Sequence, residues 1–167
     1  MKSSVPVCPV PFEQQPLNEY ESLKESWFYS WGTRNLVGYL KPILVLWFLS
    51  WAVSAPIAAV SFPWAKYPVQ FILSGAAGAS LFPMLALLRL YLGWNYVCDR
   101  LSSETIFYEE SGWYDGQTWT KPAELWERDR LIVSYQIQPI LQRLKRTFLS
   151  IAGLFLVGLV IWNLFRN

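Results

Sequence analysis

The sequence contains no histidine and only two cysteines, Cys8 and Cys98. Without imidazole, this chain alone supplies no His acid–base pair, no Ser–His or Cys–His nucleophile and no His ligand for haem or chlorophyll. Carboxylate sites, and ligation through water or backbone, stay open. Neither cysteine has a second thiol at CxxC spacing, so zinc and iron–sulfur centres have no support, and free thiols are expected. Phosphate-cradling P-loops, GxGxxG, HExxH and nucleophile-elbow patterns are also missing. The last absence is of charge. Pro42–Phe62, Pro68–Leu88 and Thr147–Phe165 hold no Asp, Glu, Lys or Arg.

Each of those stretches is about 20 residues long, enough at 1.5 Å per residue to cross a hydrocarbon core of roughly 30 Å. The expected fold is therefore mainly α: a polytopic membrane protein with three transmembrane helices and a small cytoplasmic or stromal module of a β-hairpin plus a helix. With no ionisable residue inside a span, ion or proton transport is disfavoured. Four segments follow: 1–41, an extended Pro-rich stretch and an interfacial helix; 42–94, the first two spans; 95–146, hairpin and amphipathic helix; 147–167, the third span and tail.

Three spans put the termini on opposite sides. Counting Arg89 at the membrane boundary, twelve of the fourteen Lys and Arg, and all twelve acids, fall on the face shared by the N-terminal segment and 92–146. Positive flanks set orientation, so that face is expected to be cytoplasmic or stromal. Arg143, Lys145 and Arg146 directly precede the third span and read as its topology anchor, within reach of anionic head groups. Tyr39, Trp64, Tyr67, Tyr91, Trp94, Tyr96 and Trp162 cluster near the proposed boundaries, as interfacial aromatics do. Residues 1–41 resemble neither a secretory leader nor a transit peptide. As given, the chain suits a bacterial protein or one encoded inside a plastid.

Local signals add detail. Asn18, with Glu21 three residues on, predicts a capped helix over Glu19–Trp31, ending near Gly32. Its aromatics suit a membrane surface or a packed cytoplasmic module equally. Pro56 and Pro83 are expected to bend the first two spans. Ser74, Gly75, Gly78 and Ala79 form small-xxx-small pairs, which let helix backbones approach closely, with Gly153 and Gly158 as a possible matching surface. Trp47 and Trp51 lie deep in the first span, against a helix, a lipid or a pigment. Asp115-Gly116 predicts a two-residue turn pairing Trp113 with Thr118 and Gly112 with Trp119. Trp113, Tyr114, Asp115, Gly116 and Trp119 are the candidate partner-binding residues, since an isolated hairpin needs something to rest on. Pro122–Arg146 predicts a helix kinked at Pro139, although Val133, Tyr135 and Ile137 alternate as a strand would. Glu104, Glu109, Glu110 and Asp115, like the mixed charges at 127–130, read as solvated or salt-bridged surface.

Two long blocks carry a resemblance: IFYEESGWYDGQTWTKP, Ile106–Pro122, and RDRLIVSYQIQPILQRLK, Arg128–Lys145, preceded by VPVCPVPFEQQPLNEY and SWFYSW. They resemble a plastid and cyanobacterial membrane-protein family described as conserved in the green lineage and diatoms, one of the hypothetical chloroplast reading frames. The resemblance covers roughly Val5–Phe165 and carries over no catalytic residues. It implies a thylakoid or related membrane and an accessory role there. Together these readings give an expected non-catalytic accessory or biogenesis factor for photosynthetic membrane complexes. Its expected partners are the lipid bilayer and other membrane-protein subunits, without nucleic acid, bound metal or cofactor. The alternative is a pigment-, metal- or cofactor-handling membrane protein.

Overall fold

The computed structural model describes residues 8–109 and 116–165. A 3₁₀ turn at Phe12–Gln14 leads into α1 (Pro16–Glu25). A second 3₁₀ turn, Ser30–Thr33, precedes α2 (Leu36–Ser61), α3 (Pro68–Ala79) and α4 (Leu81–Ser102). Strands β1 (Thr105–Glu109) and β2 (Gly116–Thr120) form an antiparallel pair. Then come α5 (Ala123–Ile132), a π turn at Val133–Ile137 and α6 (Gln138–Leu164). The chain divides into two compact units, one of Met1–Ser30 with Leu92–Leu141, the other of Trp31–Tyr91 with Gln142–Asn167.

The second unit holds α2, α3, the first half of α4 and most of α6. Leu36–Ser61, Pro68–Ser102 and Ala123–Leu164 each contain a stretch long and apolar enough to cross a membrane. Asn35 caps α2 by accepting from Gly38 N at 2.9 Å. Pro56 lies inside α2 without ending it, since the helix runs on to Ser61. Pro83 acts more strongly. Lacking an N–H, it leaves the carbonyl of Ala79 without its usual donor, and α3 and α4 are separated at Ser80. Both ends of the bundle are tied. Tyr39 OH bonds Thr147 Oγ1 at 2.9 Å and Tyr91 stacks edge-on against Phe148 at one end; Phe62 meets Trp162 and Gln70 Nε2 donates to Phe165 O at 2.7 Å at the other.

Close approach occurs between α2 and α3. Ser54 Oγ donates to Gly75 O at 2.5 Å, and Ala79 is fully buried. A Cβ on Gly75 would lie 2.7 Å from the Trp51 ring, and one on Gly78 would lie 2.6 Å from Ser54 Oγ. Trp51 thus covers Gly75, while Trp47 Nε1 donates to Ser80 Oγ at 3.2 Å. The small-residue face is met by α2. Gly153, offered as a matching surface, has nothing within 4 Å of a built Cβ, and Gly158 meets only Leu73 at 3.8 Å.

The first unit departs from expectation in three places. The helix expected over Glu19–Trp31 occupies Pro16–Glu25 instead. Pro16, with φ already fixed, starts it after Gln15. Asn18 is not its cap: its amide turns back to Phe12 O at 2.7 Å, and Ser26 leaves the helix in extended conformation. Trp27, Phe28 and Tyr29 therefore lie beyond the helix.

Secondly, the tight Asp115-Gly116 turn is not formed. Thr105 pairs with Thr120, Ile106 with Trp119, Phe107 with Thr118, Tyr108 with Gln117 and Glu109 with Gly116. Gly116 is thus a strand residue, and Trp119 stands opposite Ile106 instead of Gly112. Six residues, 110–115, connect the strands. The reason is side-chain chemistry. This register pairs Thr105–Glu109, rich in β-branched and aromatic side chains, and turns Ile106 and Tyr108 inward. Glu110, Trp113, Tyr114 and Asp115 lie outside the described residues.

Thirdly, 123–164 is helical throughout, without a strand, but contains a π turn. Gln138 N–H bonds Val133 O, five residues back. Pro139 follows at once and has no N–H for Tyr135 O. The wider turn accommodates the loss where a regular helix would be broken.

Substituting Gly75 by Leu is expected to cost about 1–3 kcal/mol through overpacking against Trp51, whereas Gly153→Ala leaves stability nearly unchanged. Thermal melts of the two variants in one detergent check the contrast.

Candidate functional site

The C-terminus of α4 leaves carbonyls that no further helical turn satisfies. Lys121 supplies the donors. Its Nζ donates to Arg100 O at 3.2 Å, to Leu101 O at 3.0 Å and to Asp129 Oδ2 at 2.9 Å. Trp126 Nε1 donates to Ser102 O at 3.0 Å, and Lys121 N to Glu104 O at 2.8 Å. The Lys121 and Asp129 side chains are 2% and 6% exposed. Asp129 is thus no surface charge, as the mixed run at 127–130 had implied, but the buried counter-ion of that ammonium. Arg128 also reaches it, at 3.4 Å, from a half-exposed position.

Gln14 does comparable work on the hairpin. Its amide donates to Glu109 O and accepts from Glu109 N, each at 2.9 Å. One side chain stands in for the peptide of a third strand and closes part of the β1 edge. Inward-facing Ile106 and Tyr108 pack with Val10, with Cys8 and Trp119 at the margin. Of the partner-binding candidates, Gly116 is exposed, while Trp119 is half-buried in this internal cluster. Tyr108 OH donates to Gln117 Oε1 at 2.9 Å across the strands.

Beside α1 lies a cleft of about 440 Å³, lined by Glu13, Glu19, Ser22, Tyr29, Gly93 and Tyr96, among others. Tyr29 rests on the backbone of α4 so closely that a Cβ on Gly93 would lie 2.3 Å from its ring. Glu19 pairs with Arg100 Nε at 3.1 Å, and Arg100 also donates to Gln14 O at 2.8 Å. Burial pushes the Glu19 carboxyl above its ordinary value, with Arg100 opposing. Tyr20 bonds Gln136 through its hydroxyl and meets the Trp94 ring edge-on at 6.1 Å. No group of three or more His, Cys, Asp or Glu able to hold a metal ion occurs among the described residues.

In the helical unit, Ser50, Ser54, Ser61, Ser74, Gly78 and Phe82 help line a groove of about 390 Å³ between α2 and the α3–α4 pair. Three of its serines are internally engaged: Ser50 with Leu46 O, Ser54 with Gly75 O, Ser74 with Gln70 O. Of the residues before the third span, Arg143 is tied down, donating to Arg34 O at 2.6 Å, and Lys145 and Arg146 are exposed. Sequence reasoning missed Lys121. Its only signal was a lone Lys-Pro at a helix start, which says nothing of what that lysine reaches.

Among the described residues, these features define a small helical protein in which three helices are apolar and long enough to cross a bilayer, with a polar unit held by one buried ion pair. The chain belongs to the family described as "CGLD27-like: Conserved in the green lineage and diatoms 27", which it matches over residues 8–150. It is 49% identical over 140 residues to the uncharacterized protein ycf36 of Porphyra purpurea, covering 84% of this chain and 85% of that one. It is 44% identical over 140 residues to the ycf36 protein of Cyanophora paradoxa, covering 84% and 88%. The chloroplastic Arabidopsis thaliana protein "conserved in the green lineage and diatoms 27" is 44% identical over 154 residues, covering 92% of this chain and 47% of that protein. No solved structure matches the chain.

Replacing Lys121 with Met strands a buried carboxylate and uncaps α4, at an expected cost of about 3–5 kcal/mol. Adding Asp129→Leu recovers much of it, because no buried charge remains; denaturant titration of both variants measures the difference. Glu19 gives a pH signature. Because its folded value is raised, its contribution to stability is full below its ordinary value of 4.5 and is lost as pH rises through the folded value. The stability of the wild type relative to Glu19→Gln is therefore expected to fall as pH rises from below 4.5, and melts across that range read it.

Proposed function

We propose that this chain is an integral protein of a thylakoid-type membrane in a plastid or cyanobacterium, and that it serves as a non-catalytic accessory or biogenesis factor for photosynthetic membrane complexes. The polar unit faces cytoplasm or stroma. The observation that carries the reading is where four polar groups of that unit, two of them buried, are spent. The Lys121 ammonium, the Asp129 carboxylate and the Trp126 indole N–H all hold the end of α4 or one another, and the Gln14 amide holds β1. Such an arrangement suits a rigid shape presented to a partner. The chloroplastic Arabidopsis relative supports the compartment. The exposed Trp27 and Gly116 are the described residues nominated for that partner; Trp113, Tyr114 and Asp115 are nominated on sequence alone.

A second reading, handling of a pigment or other apolar cofactor, is favoured by one observation: the groove of about 390 Å³ between α2 and α3, lined mainly by apolar side chains with three engaged serines. Affinity isolation of the tagged chain from its photosynthetic host in mild detergent separates the two. The expected result is co-isolation of membrane-complex or assembly subunits, with no absorbance that stays with the chain in harsher detergent. Pigment or metal retained at stoichiometric level would overturn the accessory reading in favour of the second. Resistance of the chain to alkaline carbonate extraction is expected in the same membranes, and release would overturn insertion.

A further inference from the structure

The charges divide between the two units. All twelve acids belong to the first, which also holds six Lys or Arg; the second holds eight Lys or Arg and not one Asp or Glu. Within the second unit, Tyr39–Thr147 and Tyr91–Phe148 define one end of the helices. Arg34, Lys41, Arg89, Arg143, Lys145 and Arg146 gather toward that end. Among the described residues only Lys66, beside the Pro63 turn, lies toward the other.

Arg143 is held in place. Its Nη1 donates to Arg34 O at 2.6 Å and to Gly32 O at 3.5 Å, and its guanidinium sits 5.6 Å from the centre of the Tyr39 ring. Arg34 runs its stem across the first turn of α2: a Cβ built on Gly38 would lie 3.0 Å from Arg34 Cβ and 3.2 Å from its Cδ. Lys145 and Arg146 are exposed one turn or less along α6. The unit contains no carboxylate side chain to neutralise them. Immediately along the same helices the surface turns apolar and exposed, at Leu36, Val37, Leu40 and Leu44 of α2 and Leu149 of α6.

A fixed guanidinium, flanking exposed cations and an adjoining apolar wall match one amphiphile. We propose that Arg34, Arg143, Lys145 and Arg146, with Lys41 beside them, bind the anionic headgroup of a membrane lipid whose acyl chains lie against α2 and α6. The charge complementarity is to a phosphodiester or a sulfonate anion. The apolar wall is what selects a lipid over a free anion. This rests on the insertion reading above.

The test uses the full chain in detergent micelles, offered phosphatidylglycerol and phosphatidylcholine of matched acyl chains, with retained lipid read by native mass spectrometry. The wild type is expected to retain phosphatidylglycerol preferentially. Arg34→Gln/Lys145→Gln/Arg146→Gln, all on exposed side chains, is expected to lose that preference, roughly fivefold per charge at about 1 kcal/mol each. Arg143→Lys keeps the charge but not the bidentate fork and is expected to weaken retention as well. Equal retention of both lipids by the wild type would sink the proposal. So would an undiminished preference in the triple variant at unchanged helix content, or displacement of phosphatidylglycerol by inorganic phosphate, which would reassign the cations to a free anion. Insertion is checked apart, by carbonate extraction: a chain that stays in the membrane yet shows no headgroup preference overturns this proposal alone, and a chain that is released overturns insertion and the proposal with it.

Discussion

A single buried ammonium holds the polar unit together. Lys121 lies between the C-terminus of α4, the end of β2 and the start of α5, and each element owes part of its position to it. Two carbonyls of the last turn of α4 and one carboxylate from α5 converge on its Nζ. Its own peptide N–H continues the strand ladder to Glu104. Taking a charge out of water costs several kcal/mol unless partners replace the lost hydration, and here three oxygens do so. The negative end of the α4 dipole adds to the attraction. The same lysine that closes one helix therefore fixes where the hairpin leaves it and where the next helix begins.

The helical unit is organised by the opposite means. Its close contact has no ion pair. Gly75 and Gly78 remove side-chain bulk so that Trp51 and Ser54 can lie on the α3 backbone, and a hydroxyl-to-carbonyl bond joins the helices there. In a bilayer, where apolar surface gains little by leaving lipid, such shape fit and internal hydrogen bonding are the available sources of cohesion. The two units thus use complementary chemistry: buried charge with full satisfaction in one, backbone proximity without charge in the other.

How much of this is legible in the sequence depends on the range of the signal. Runs of twenty uncharged residues announce the long helices, and Pro83 announces the break at Ser80, because both are properties of the local chain. The small-residue stripe is equally visible, but its mate is not: only packing decides between Trp51 on α2 and the glycines of α6. The hairpin misleads for a related reason. Asp115-Gly116 is a strong local turn signal, yet the register follows Val10 and Gln14, about a hundred residues away, which give Ile106, Tyr108 and Glu109 their partners. Lys121 is the extreme case, an unremarkable lysine in sequence whose role exists only once α4 has ended beside it. The alternation at 133–137, which suited a strand, marks the π turn.

The polar unit is discontinuous in the chain, and that sets a timetable. Residues 8–30 emerge from the ribosome before α2 and α3, but what they pack on comes afterwards. Tyr20 bonds a residue 116 positions later. At roughly 5–20 residues per second, the N-terminal segment waits on the order of ten seconds for that partner. In the interval two apolar helices must find their place. During synthesis the N-terminal segment therefore gains its partners in two instalments, Trp94 and Arg100 with α4 and Gln136 only after α5.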